Sequence, residues 1–217
     1  MRTFFSRLFL ILGFLLLIGA GGLTAYNLWE ESQANASSQQ VIGELQAAMS
    51  EELYDTDESD WDTPLSEVDS DIPLYQQFPD MEMPTVTIGD YRYIGVLNVP
   101  SLDLELPVME EWSYPRLRIS PCRYTGSAYT DDLTICGHNY ARHFGQLHDL
   151  EAGTVITFTD MAGNLFHYEV AVVDILEPTA IEAMTVKDEA ENDWDMTLFT
   201  CTLGGKSRYA IRCIRTE

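Results

Sequence analysis

A strand-like run, Thr197-Leu198-Phe199-Thr200, ends in Cys201, and Arg208 follows just beyond the Gly204-Gly205 pair. Upstream, Thr134-Ile135-Cys136-Gly137 ends in His138. A thiol nucleophile, an imidazole acid/base and a guanidinium that can hold an oxyanion are the parts needed to attack an amide through a covalent acyl intermediate. An unperturbed cysteine, with a pKa of about 8.5, is only slightly ionised at neutral pH yet strongly nucleophilic, so a nearby base need only orient or modestly deprotonate it. In this reading Cys201 attacks, His138 protonates the leaving amine, and Arg208 stabilises the carbonyl oxygen as it becomes anionic. Arginine suits the last part because it does not deprotonate. Arg212 and Arg215 compete for it. On a strand beginning near Ser207, Arg208 and Arg212 share a face, but Arg212 lies about 13 Å further from the turn at about 3.3 Å per residue, and proximity selects Arg208.

Each residue also has a plainer reading. A cysteine inside an apolar strand is commonly a small buried hydrophobe, and a histidine a packing or capping residue. Nothing further points to His143, His148 or His167. Outside the cell, Cys122, Cys136 and Cys213 could form a disulfide, but their spacings define no framework. Cys136 lies two residues before His138, hence on the same strand face. A zinc site from Cys136, His138 and His143 would lack the paired spacing such sites show, so no metal is expected.

TLFTC with an arginine close behind and TICGH upstream resemble the signature of the sortases, membrane-anchored cysteine transpeptidases of Gram-positive bacteria. The resemblance runs over roughly residues 91–217: YIGVLNVPSLDLELPV resembles the first strand pair of a sortase barrel, and TICGHNYARHFGQL its histidine strand and following helix. It implies that His138, Cys201 and Arg208 are catalytic. It further implies a substrate, a Leu-Pro-x-Thr-Gly-like sorting signal on a secreted protein, cleaved after the threonine. The acyl group would pass to an amine of a peptidoglycan precursor or a pilin. The segment Leu176–Asp195 corresponds to the loop that lines the peptide groove, with Ile181, Met184 and, beside the nucleophile, Thr200 as candidate substrate contacts. Some sortases bind calcium there, and Glu177, Glu182, Asp188, Glu189 and Glu191 could supply oxygens. Ordinary surface carboxylates are the plainer reading, and no cofactor is expected. The short step from Cys201 to Arg208 departs from the longer connection of many sortases and requires a tight turn.

The chain has 217 residues and a net charge of −23, which argues against a nucleic-acid partner, whose phosphates need Lys and Arg. Residues 8–28 carry no charge, and as a helix rising about 1.5 Å per residue they match a hydrocarbon core of about 30 Å. Arg2 and Arg7 precede this run and Glu30 and Glu31 follow it, so the positive-inside bias puts residues 1–7 in the cytoplasm and the catalytic part outside the cell membrane. A cleaved signal peptide is the alternative, given Gly19-Ala20-Gly21-Gly22. Residues 30–83 contain fifteen Asp or Glu and no Lys or Arg. That composition predicts an extended, solvated tether over residues 29–88, with at most one short helix where Val41, Leu45 and Met49 share a face; a cation sink or a lid over the site is the functional alternative.

Residues 89–217 form the expected catalytic domain. Strands are predicted over 92–98, 102–108, 133–137, 154–159, 165–174, 196–201 and 207–214, with one helix over 140–150 that turns Phe144, Leu147 and Leu150 toward the core. Seven or eight such strands avoid exposed edges by closing, which predicts a mainly β fold, a closed mixed β-barrel. Two other functions fit the residues: a tethered cysteine peptidase that releases its acyl group to water, and a non-catalytic wall-binding or assembly module in which Cys201 is simply packed.

Overall fold

The computed structural model describes residues 2–52, 72–187 and 193–216. Nine strands are present: β1 (Val86–Ile88), β2 (Tyr91–Val99), β3 (Leu104–Met109), β4 (Cys122–Thr125), β5 (Leu133–Cys136), β6 (Val155–Asp160), β7 (Leu165–Leu176), β8 (Met196–Cys201) and β9 (Arg208–Thr216). They run in the order β1-β2-β3-β4-β5-β8-β9-β7-β6, and pairing of β6 with β2 closes eight of them into a barrel; β1 is an extra strand on the start of β2. The barrel is mixed, because β3/β4 and β5/β8 are parallel and the other pairs antiparallel.

Strand periodicity sorts the apolar residues into two sets, since successive side chains point to opposite faces. Leu97, Ile135, Leu198 and Ile211 belong to the main core, with Phe144, Phe158, Phe166 and Tyr168. Their immediate neighbours Val96, Cys136, Phe199 and Ala210 belong to a second cluster on the opposite face of the wall. Gly95 sits at the bulge where β2 shifts register, and a Cβ there would collide with the Thr159 carbonyl and the Phe158 ring.

A single helix, α1 (Arg2–Glu52), runs through the apolar segment and continues well beyond it. Where charge predicts an extended tether, residues 30–46 instead dock on the barrel. Ala34, Ser38, Ile42 and Leu45 are buried at successive turns, Leu45 joins Tyr93 and Met109 in the second cluster, and the Ser38 hydroxyl donates to the Ile119 carbonyl at 3.1 Å. The reason is local: this stretch holds only Glu30, Glu31 and Glu44 as acids, and an apolar stripe lies between them. Residues 53–71, where more than half of the acidic run falls, lie outside the described residues. Chain nearer the barrel packs as well. After α2 (Leu74–Gln77), Met83 is buried, and Tyr75 stacks on Tyr129 with centroids 4.9 Å apart.

The expected helix over 140–150 is instead a series of turns ending in a short 3₁₀ segment, Leu147–Asp149. The backbone here bonds at mixed spacing, with Gly145 N–H reaching back to Tyr140 O and Leu147 N–H to Phe144 O. Burial explains why the periodicity misled: Phe144, Leu147 and Leu150 do enter the core, but from consecutive turns. Two further helices are short. Ser113 caps α3 (Tyr114–Leu117) by accepting from Arg116 N–H at 3.3 Å, with Pro115 in its first turn. The second, α4 (Ile181–Thr185), lies between β7 and β8.

Candidate active site

Parallel pairing of β5 and β8 brings the histidine to the cysteine. Cys136 is the register partner of Phe199, and the ladder continues past β5: Gly137 N–H donates to Phe199 O at 3.1 Å, and the Thr200 hydroxyl donates to Gly137 O at 2.9 Å. Two residues further on each strand are His138 and Cys201, which therefore leave the same rim of the barrel. On the other side of β8, Cys201 and Arg208 are direct cross-strand partners. Neighbouring strands are about 4.8 Å apart, so the three residues stand on three adjacent strand ends.

The tight turn that this pairing needs is built from two glycines. Gly204 and Gly205 have φ of +85° and +72°, a conformation that side chains resist. Thr202 N–H donates to Ser207 O at 3.0 Å, and Ser207 N–H returns a bond to the Thr202 hydroxyl at 3.1 Å. The Arg208 guanidinium folds onto this turn, donating to Ser207 O at 3.0 Å and Gly205 O at 3.2 Å. Its rivals are committed elsewhere. Arg212 is buried and donates to Asp174, to the Thr197 hydroxyl and to Ala183 O, fastening α4 to the wall. Arg215 pairs with Asp131 at 2.7 Å and lies over the Phe166 ring.

Burial separates the thiols. All four cysteines are free; Cys122, Cys136 and Cys213 are buried and Cys201 is half-buried. Burial pushes the Cys122 thiol up to about 12 and raises those of Cys136 and Cys213 further. His138 is half-buried, and burial holds its pKa below the usual histidine value; Glu30 pulls it up, Arg118 down, and the Asn139 side chain up. The ring stacks on Tyr140 with centroids 3.9 Å apart. Behind it, His143 is fully buried and pushed down to about 4, chiefly by desolvation, so it is neutral at physiological pH.

The candidate substrate residues occupy different settings. The Thr200 side chain is buried and engaged by the Gly137 carbonyl, a brace between β5 and β8. Met184 is buried in the second cluster with Cys136 and Phe199, and its carbonyl accepts from the Thr134 hydroxyl at 3.3 Å. Ile181 is exposed. Of the carboxylates considered for calcium, Glu177 and Glu182 are exposed, and Asp188, Glu189 and Glu191 lie outside the described residues. No group of three or more His, Cys, Asp or Glu among the described residues is arranged to hold a metal ion.

Sequence reasoning missed the contribution of α1. Glu31 accepts the Ala141 N–H at 2.6 Å, and Glu30 faces Arg118 at 3.8 Å, bringing two helix carboxylates beside the histidine loop. No motif marks them; the signal was the apolar stripe that follows.

Residues 97–216 match the family model of the sortase domain, more than half of the chain. The chain belongs to the sortase family. Across 202 residues it is 24% identical to Sortase A of Bacillus anthracis, covering 90% of this chain and 88% of that one. In structure it is similar to Sortase C2 of Group B Streptococcus Pilus Island 1 (TM-score 0.51, 18% identity, 66% of this chain and 92% of that one). It is also similar to a lid mutant of Sortase A from Corynebacterium diphtheriae (TM-score 0.50, 19% identity, 83% and 96%). These structural likenesses concern the fold, the closed eight-stranded barrel. As a sortase, the protein is a cysteine transpeptidase with a long apolar helix at its amino terminus.

Proposed function

We propose that this sortase cleaves a Leu-Pro-x-Thr-Gly-like sorting signal on secreted proteins and transfers the acyl group to an amine of a peptidoglycan precursor or a pilin. Cys201 gives its thiol proton to His138 as Sγ attacks the threonine carbonyl carbon, and Arg208 donates to the oxygen as it takes up charge. The C–N bond then breaks, His138 gives its proton to the departing amine, and a thioester remains on Cys201. An incoming amine loses a proton to His138, attacks the thioester and restores the thiol. The observation that carries this assignment is the register: His138 and Arg208 flank Cys201 on adjacent strand ends, while every other thiol is buried. Residues 8–28 would anchor the enzyme with its amino terminus in the cytoplasm and the barrel outside, where holding enzyme and substrate on one surface raises effective concentration.

The test is incubation of the full chain with a sorting-signal peptide library and a glycine peptide as acceptor. Mass spectrometry should find a thioester on Cys201 and an amide product, both absent in Cys201→Ala. Product appearing only as free acid at every acceptor concentration would replace transfer by hydrolysis. No cleavage, with Cys201 resisting alkylation until unfolding, would leave a binding module.

A further inference from the structure

We infer that the catalytic rim of the barrel rests on the outer surface of the membrane that holds α1, with Leu203 of the β8–β9 turn seated among the phospholipid headgroups. This builds on reading residues 8–28 as a membrane span. Tyr26 and Trp29, with ring centroids 6.2 Å apart and both exposed, close the apolar run as an aromatic pair, the kind of pair that marks the membrane–water boundary. Only one turn of helix separates that pair from the barrel. Glu30 meets Arg118, and Glu31 holds Ala141 N–H. From Tyr26 to Glu31 the helix rises about 8 Å, and the headgroup layer on one side of a bilayer is about 5–8 Å deep. The loop that carries His138 is therefore at headgroup depth.

The direction of α1 across the barrel fixes which strand comes next. Followed toward the membrane, the helix meets Tyr93 and Met109 of β2 and β3 at Leu45, then Ile119 just before β4 at Ser38, then Ala141 just after β5 at Glu31. The next strand in the sheet is β8, and its free end is Cys201 and the turn beyond. That turn is chemically suited to the position. Leu203 is 97% exposed, and residues 202–207 contain Lys206 and no carboxylate in a chain whose net charge is −23. A bare leucine beside a lysine suits an interface in which the apolar side chain enters and the ammonium stays with the phosphates.

Spin labels on the full chain in phosphatidylglycerol/phosphatidylcholine vesicles test this. In a Cys201→Ala background the remaining cysteines are buried, so labels can be placed singly by Leu203→Cys, Leu16→Cys in the apolar run, and Leu165→Cys. Leu165, 52% exposed, is a leucine at the opposite end of β7 from Leu176, the partner of Arg208. Lipid-soluble oxygen should relax the label at position 203 in preference to an aqueous nickel chelate by more than at 165, with a ratio between those at 165 and 16. A lipid signature at 16 with an aqueous or protein-buried one at 203 would overturn the inference. An aqueous signature at 16 as well would remove the membrane reading and this inference with it.

Discussion

Replacing Gly137 with alanine tests how the fold aims the histidine. A Cβ at this position would lie 2.5 Å from Cγ and 2.6 Å from Cδ2 of Phe144, well inside van der Waals contact. Neither side can yield cheaply. Phe144 is fully buried in the main core, and Gly137 is held to β8 through both its N–H and its carbonyl. Overpacking of this kind costs about 1–3 kcal/mol. At about 2–4 °C per kcal/mol for a chain of this size, Tm should fall by about 2–12 °C. Because His138 is the next residue, the strain also reaches the proposed acid/base, and a misplacement of about 1 Å costs on the order of 10²-fold in rate. Thermal unfolding and peptide cleavage by Gly137→Ala, Phe144→Leu and the double variant give the measurement. The second substitution should relieve the first, with a coupling of about 0.5–3 kcal/mol. Full turnover and an unchanged Tm in Gly137→Ala, or a strictly additive cycle, would refute the reasoning.

Iodoacetamide at neutral pH should modify Cys201 alone in the folded protein, with Cys122, Cys136 and Cys213 reacting only after denaturation; peptide mapping of the labelled chain checks this. Arg208→Ala should lower kcat by about 10²–10³-fold with little change in denaturation midpoint, whereas Arg212→Ala should cost about 3 kcal/mol, from three hydrogen bonds at about 1 kcal/mol each. Comparing urea unfolding with turnover for the two variants separates the roles. Glu30→Gln removes a charge that raises the His138 pKa, and a general acid loses its proton as pH rises through that pKa. The alkaline limb of the kcat/KM profile should therefore move to lower pH, and an unmoved or upward-moved limb would contradict the placement of Glu30 beside the ring.

His138 and Cys201 were legible as candidates because each ends an apolar run: Leu133 to Cys136 and Met196 to Thr200 are continuously buried. In β7 the signal was alternation instead, with Phe166, Tyr168 and Val170 buried between more exposed neighbours. Two strands escaped. In β4, Arg123 and Tyr124 dilute a four-residue run whose parallel pairing to β3 rests on Met109 and Cys122 alone, and β1 has three residues only. The turns after His138 imitated a helix because three aromatic or aliphatic side chains at helical spacing all reach the core. Docking of α1 was hidden by averaging. Charge summed over residues 30–83 described a tether, while the contacts depend on Ala34, Ser38, Ile42 and Leu45, a stripe visible only when that stretch is taken turn by turn.

The parallel neighbours β5 and β8 also govern when the enzyme can exist. Antiparallel partners can zip from a hairpin, but Cys136 and Phe199 are joined only after the intervening chain has closed a large loop, which makes their contact late and slow. Arg208 and the strand that begins with it are synthesised after both of these strands. A ribosome-bound chain that stops short of β9 thus holds the Cys201 thiol without Arg208, and the proposed site forms only once that strand has been made.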